Sequence, residues 1–254
     1  MNQPSSRHDV TRLADRAIIR LTGEGENMTE FLQGLVTSDV TGPLPVWTAL
    51  LSPQGKVLFD FFIWPSGEDL LIDCEREFAD DLVKKLSLYR LRRKIAIAVD
   101  PKVEVHWISH RGDGGADDPR LAALGQRWLL PASDEHQGQS ADGAYLAHRL
   151  SLGVTEGRAE LGHDQTLWLE CNAAELHGVN FRKGCYVGQE NTARMNWRQK
   201  VNRRLLVVPL DRSDEGRRRI AYEDLDVAVD HVRIADVDSD LWPGWLALDL
   251  QPKD

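Results

Sequence analysis

Between Phe181 and Arg194 the chain reads FRKGCYVGQENTAR, which sets one cysteine between a Lys-Gly pair and a Tyr-x-Gly-Gln-Glu run. Thiolate is the reactive form of cysteine. It is favoured beside cations and just before a helix, where the first N–H groups lack partners. Gly184 and Gly188 permit a sharp turn ahead of a helix expected to start near Val187 or Gly188. Arg182 and Lys183 add positive charge beside Cys185, and Glu190 in the first turn partly opposes it. Free cysteines also serve as small buried hydrophobes. The residues alone leave both roles open.

The other two cysteines read differently. Cys74 ends an apolar strand and Cys171 lies within LWLECNAAEL, so both are expected to pack. No two cysteines have C-x-x-C spacing and no histidine sits near one in sequence, so no self-contained metal site is expected. A Cys–His dyad would draw on His148, His163 or His177, and spacing does not choose among them. A second chemical candidate is Asp60 in KVLFDFFIW. Alternation places it with Leu58 and Phe62, opposite Val57, Phe59, Phe61 and Ile63. A carboxylate among such neighbours needs a partner, either a polar ligand ring or solvent.

Charge adds a third feature. From Asn180 to Arg204 seven bases (Arg182, Lys183, Arg194, Arg198, Lys200, Arg203, Arg204) meet one acid, Glu190, a local excess of six in a chain of net charge −9. The stretch is either a solvated face or a site for an anionic ligand.

These residues need a frame to position them. The 254 residues, 42% hydrophobic and 28% charged, have the composition of an ordinary globular protein. No apolar run reaches the ~20 residues that span a bilayer, so no membrane partner is expected. The N-terminus lacks an apolar signal core, and sparse, odd cysteines fit a reducing compartment. A cytoplasmic location is expected. Strands are predicted near Ala17–Leu21, on both sides of the SPQG turn, and at EDLLIDCE, IAIAVD, VEVHWIS and LGQRWLLP. Helices are predicted after an Asn27 cap, along EFADDLVKKLSLYRLRRK and through GAYLAHRLSLGV. SHRGDGGADDPR and PASDEHQGQSADG read as mobile surface loops. From Val201 onward short β-like runs predict an all-β unit, a small barrel, giving an α+β region at 1–200 and a C-terminal unit at 201–254. No dinucleotide or P-loop signature is present.

FLQGLVTSDV, SPQGKVLFDF, LSLYRLRRK and GVNFRKGCYVGQENTAR together resemble the YgfZ-type folate-binding proteins, relatives of the glycine-cleavage T-protein and of a mitochondrial iron–sulfur assembly factor. The resemblance runs from about Ala17 to Arg204. It implies a T-protein-like fold of three subdomains, two interleaved in the first 200 residues and a last small β-barrel, around an opening that takes tetrahydrofolate or a derivative. It implies a role in assembly or repair of iron–sulfur enzymes, including tRNA-modifying ones, with those enzymes as partners and Cys185 as the functional thiol. Lys183, Gly184, Tyr186, Gly188, Gln189 and Glu190 carry over with the motif. Arg149 and Glu170 fall where T-proteins have an arginine and a folate-facing glutamate. T-proteins carry an acidic pair where this chain has Phe59-Asp60, which sets aminomethyl transfer apart as the alternative, with Asp60 as its acid–base group. The basic 182–204 segment would complement a folate's glutamate tail or, in a further alternative, a tRNA backbone.

Overall fold

A central antiparallel sheet is buried on both faces, which is why its middle strands read as nearly continuous apolar runs. The computed structural model describes residues 11–112, 114–133, 138–198 and 201–247. The first elements are β1 (Arg12–Leu13), β2 (Arg16–Thr22), α1 (Met28–Gln33), β3 (Val46–Leu51), β4 (Val57–Ser66), β5 (Asp69–Glu75), α2 (Ala79–Arg90) and β6 (Ala96–Val99). Five of them form a sheet in the order β3-β4-β5-β2-β6. Phe61 and Ile63 on one face of β4 pack with Leu32 of α1 and with Leu82 and Leu86 of α2. Phe62 and Trp64 on the other face join Trp47, Trp168 and Tyr145. Val57 departs from simple alternation and packs with Phe62 and Trp64, because the register shifts between Leu50 and Leu51. The Asn27 side chain caps α1 by accepting from Glu30 N at 2.9 Å.

A second sheet, in the order β1-β7-β9-β8, is built by β7 (Val103–Ile108), β8 (Ala116–Asp117) and β9 (Gln126–Pro131). The expectation of a mobile loop at SHRGDGGADDPR is corrected here. Its second half forms β8 and then buries Asp118 and Arg120 at 4% and 1% exposure. Its charged end is held inside because Arg120 pairs with Asp118 two residues away and with Glu156 at the start of the helix Gly157–Leu161. The other loop expected to be mobile, PASDEHQGQSADG, lies partly outside the described residues, at 134–137.

The chain continues through α3 (Asp142–Ser151), α4 (Gly157–Leu161), a 3-10 turn at Trp168–Cys171, α5 (Gln189–Trp197), β10 (Arg203–Pro209), β11 (Arg218–Tyr222), β12 (Val227–Arg233) and α6 (Gly244–Ala247). The predicted C-terminal barrel is corrected: among the described residues β10, β12 and β11 form an open three-stranded sheet, and helical turns accompany it. In place of a barrel interior, residues of β10 and β12 pack against other parts of the chain. Leu205 and Val229 enter the main core, and Leu206, Val208 and Ala228 pack with Leu246 of α6. Polar ties reinforce the first contact. Asn172 Nδ2 donates to Leu205 O at 2.9 Å, and Arg204 pairs with Glu175 at 2.6 Å.

Candidate functional site

Two sequence motifs meet at Cys185. The SPQGK hairpin closes with Gly55 N donating to Ser52 O at 2.8 Å, and its tip receives Asn191 Nδ2 of α5 on Gln54 O at 2.6 Å. Gly188 caps α5 at φ +80°, where a Cβ would lie 2.5 Å from Ser52 O. Only glycine fits both the backbone angle and the approach. On the other side of the loop, Asn180 Oδ1 accepts from Arg182 N and Lys183 N at 2.8 and 3.1 Å. Asn180 N in turn donates to Thr37 O at 3.0 Å. The loop is therefore tied down at both ends, and Cys185 is free and exposed between them.

The neighbours of Cys185 take separate roles. The Lys183 ammonium does not stand beside the thiol as a free cation. Its Nζ donates to Val36 O at 2.6 Å and to Ser38 O at 2.9 Å, and burial pulls it down to about 8 against the opposing charge of Asp39. Tyr186 is buried in the main core, Gly184 is exposed, and Gln189 Nε2 reaches back to Gly184 O at 3.5 Å. Glu190 is exposed and lies 3.5 Å from Arg194. Burial pushes the Cys74 thiol up to about 12 and Cys171 well above its ordinary value, so both are inert packing groups.

A second concavity of about 690 Å³ lies between β2, the end of β5, α3, α4 and β11. Glu75, Tyr145, Arg149, Glu156, Glu160 and Tyr222 line its wall. Carboxylates brought from elsewhere satisfy the first N–H groups of α4, as a helix start requires. Asp60 Oδ1 accepts from Gly157 N at 3.2 Å, and Glu75 Oε2 accepts from Arg158 N at 2.8 Å. Glu160 Oε2 accepts from Glu156 N at 2.8 Å. Asp60 Oδ2 also accepts from Trp47 Nε1 at 3.2 Å. Burial, with the charge of Glu156, raises the Asp60 carboxyl. Burial, with the charge of Asp60, pushes Glu75 up to about 7.

Three residues expected around one ligand have partners within the protein. Arg149 makes a two-pronged pair with Glu160 at 2.8 and 2.6 Å and lines the cavity. Asp60, 4% exposed, stands behind Gly157 and is not part of the lining. Glu170 sits beside its own turn, accepting from Leu167 N at 3.3 Å, and lies 3.2 Å from His231 Nε2. The structure does not bring Asp60, Arg149 and Glu170 to one surface.

The sequence reading did not select Glu75, Glu156, Glu160 or Tyr222. In the cavity wall and behind it, Arg16, Arg120 and Arg127 interlock with Asp73, Asp118 and Glu156 around the Tyr145 hydroxyl. Burial alone would raise Glu156, but Arg120, Arg16 and Arg127 outweigh it and hold the group well below the usual carboxylate range. The available signal was charge at inward strand positions, Arg16 on β2 and Arg127 on β9, together with the Glu-x-x-x-Glu spacing of Glu156 and Glu160. The basic run is not one face either. Lys183 and Arg204 are buried, Lys200 lies outside the described residues, and Arg182, Arg194, Arg198 and Arg203 remain exposed.

No family model matches the chain. Curated proteins do. It is 31% identical to the human mitochondrial iron–sulfur cluster assembly factor IBA57, over 78% of this chain and 65% of that protein. Its homologues are iron–sulfur cluster assembly factors. The IBA57 homologue of Coccidioides immitis is 33% identical (80% of this chain, 57% of that protein), and that of Aspergillus oryzae is 30% identical with the same shares. The chain thus spans under two thirds of the length of these relatives. The glycine cleavage aminomethyltransferase T of Bartonella henselae superposes with a TM-score of 0.63, covering 88% of this chain and 78% of that one at 11% identity. That likeness establishes the T-protein fold. The expectation of a cytoplasmic location is overturned by the relatives, which are named mitochondrial and point to that compartment.

Proposed function

We propose that this chain is an accessory factor in the assembly or repair of iron–sulfur enzymes and that Cys185 is its working thiol. The observation that carries the reading is an exposed cysteine on a loop anchored from both sides, in a chain whose relatives are cluster assembly factors. Among the described residues no three His, Cys, Asp or Glu side chains converge on a metal position. A cluster handled here as cargo takes one ligand from Cys185 and the others from a client or partner protein. The test is complementation of cells that lack the factor. Cys185→Ser is expected to fold normally and fail to restore client-enzyme activity; full restoration would remove the thiol from the function.

The proposal extends to a tetrahydrofolate-type ligand in the 690 Å³ cavity, a volume within the roughly 300–1,000 Å³ usual for small-molecule sites. Pterin N–H donors match the carboxylate of Glu75, whereas Glu160 already accepts from Arg149, Glu156 N and Tyr222. A polyglutamate tail fits less well, because Asp15, Glu77 and Asp142 share the mouth with Arg76, which already donates to Ala14 O and Arg16 O. Titration with tetrahydrofolate derivatives, read by tryptophan fluorescence, decides it; no saturable change with any of them removes the ligand. Aminomethyl transfer is supported by one feature, Glu75 poised near 7 in the cavity wall. Assay of methylene-tetrahydrofolate formation tests that reading. The tRNA reading has the least support, since burial of Lys183 and Arg204 thins its footprint.

A further inference from the structure

Among the described residues five large apolar side chains stand open to solvent, and two of them flank one groove: Phe181 at 40% and Trp197 at 89% exposure. The groove holds about 430 Å³ and is floored by Tyr186 and Ala193, with Gln189, Arg194 and Asn196 along its sides. Helix α5 turns only Thr192 into the core, so Ala193 and Trp197, four residues apart, form an outward stripe on one face. A tryptophan this open beside a concave apolar surface marks a place where another surface fits.

Charge says what that surface carries. Among the described residues of the 181–204 stretch the exposed charged groups are Arg182, Arg194, Arg198 and Arg203 against Glu190, four minus one, or +3, on a chain of net charge −9. Of the cations, Arg194 and Arg198 lie nearest Trp197 in sequence, and Arg182 follows Phe181 directly. A nucleic-acid footprint requires a denser basic patch. A groove with aromatic walls and a few flanking arginines matches a peptide.

We propose that the Phe181–Trp197 groove docks an acidic segment of a partner protein. One bulky apolar side chain seats between the two aromatic rings, and flanking carboxylates meet Arg182, Arg194 and Arg198. Docking there brings the partner against the loop that carries Cys185, yet the groove binds without using the thiol.

The test is selection of random displayed peptides on the full chain, with counter-selection on Trp197→Ala. The enriched peptides are expected to share one bulky apolar residue flanked by Asp or Glu. For a fluorescein-labelled enriched peptide, Trp197→Ala is expected to weaken binding by about tenfold or more. Arg194→Glu is expected to weaken it by about five- to tenfold at low salt. Cys185→Ser is expected to leave affinity within about twofold, which separates failure of the groove from failure of the thiol reading. Thermal melts of Trp197→Ala and of the milder Trp197→Phe control for folding. No enrichment above the Trp197→Ala background, or enriched peptides without acidic residues, overturns the proposal. So does bulk tRNA that displaces the peptide and itself depends on Trp197, which would assign the groove to nucleic acid.

Discussion

Glu75→Gln tests whether burial and a neighbouring carboxylate set the electrostatics of the cavity. Glu75 carries the backbone N–H of Arg158 at 2.8 Å, and its carboxyl is pushed from 4.5 to about 7, first by burial and then by the charge of Asp60. A folded-state value above the unfolded one means that folding favours the protonated group. Stability from Glu75 is therefore intact below about pH 4.5 and declines as pH rises to about 7. Linkage puts the loss at under about 1 kcal/mol at pH 5 and on the order of 3 kcal/mol at pH 8. Glutamine keeps an acceptor for Arg158 N and cannot ionise, so the variant escapes the difference, on the order of 2–3 kcal/mol. For a chain of this size that is a rise in Tm of roughly 5–10 °C relative to the parent at pH 8, and little change at pH 5. Differential scanning calorimetry across pH 5 to 8 measures it. A variant whose advantage is the same at both ends, or which is destabilised at pH 8, would refute the account and return Glu75 to an ordinary solvated carboxylate.

Other outcomes follow from packing and pairing. Gly188→Ala is expected to lose about 1–2 kcal/mol from the left-handed backbone alone, and more from the 2.5 Å approach to Ser52 O. Urea denaturation reads the loss, and faster reaction of Cys185 with a thiol reagent reads the loosened loop. Arg120→Met removes the partner of Asp118 at 2.7 Å and of Glu156 at 2.6 Å, leaving buried Asp118 with only the Arg127 cation at 3.9 Å and Glu156 with Arg16 at 3.1 Å. The expected cost is about 3–5 kcal/mol, seen as a lower denaturant midpoint with an unchanged slope. A cost under about 1 kcal/mol would show that the cluster around Tyr145 is solvated.

Local chemistry was legible because it is local. Asn27 caps α1, Gly55 closes the SPQG turn, Gly188 starts α5 and the apolar stripe of α2 faces the sheet, each dictated by residues a few positions apart. The same holds for the turn that presents Cys185. Charge partners were not legible, because each lies far along the chain: Arg16 with Asp73 and Glu156, Arg120 with Glu156, Lys183 with Val36 O, and Asp60 with Gly157 N. A window that counts bases therefore overstates the exposed charge of 182–204, since only the fold decides which cations spend their charge inside.

The sequence by itself determined the strands and helices of the first hundred residues and the thiol-bearing turn, because short-range propensity and backbone angle specify both; the T-protein-like fold was implied by the resemblance of its motifs. Only the tertiary structure decided that the C-terminal strands remain an open sheet seated on the main core, and that Asp60 and Glu75 serve the start of α4. It also decided that Trp197 is left facing solvent. Burial and long-range pairing settle those points, and they exist only once the chain has closed on itself.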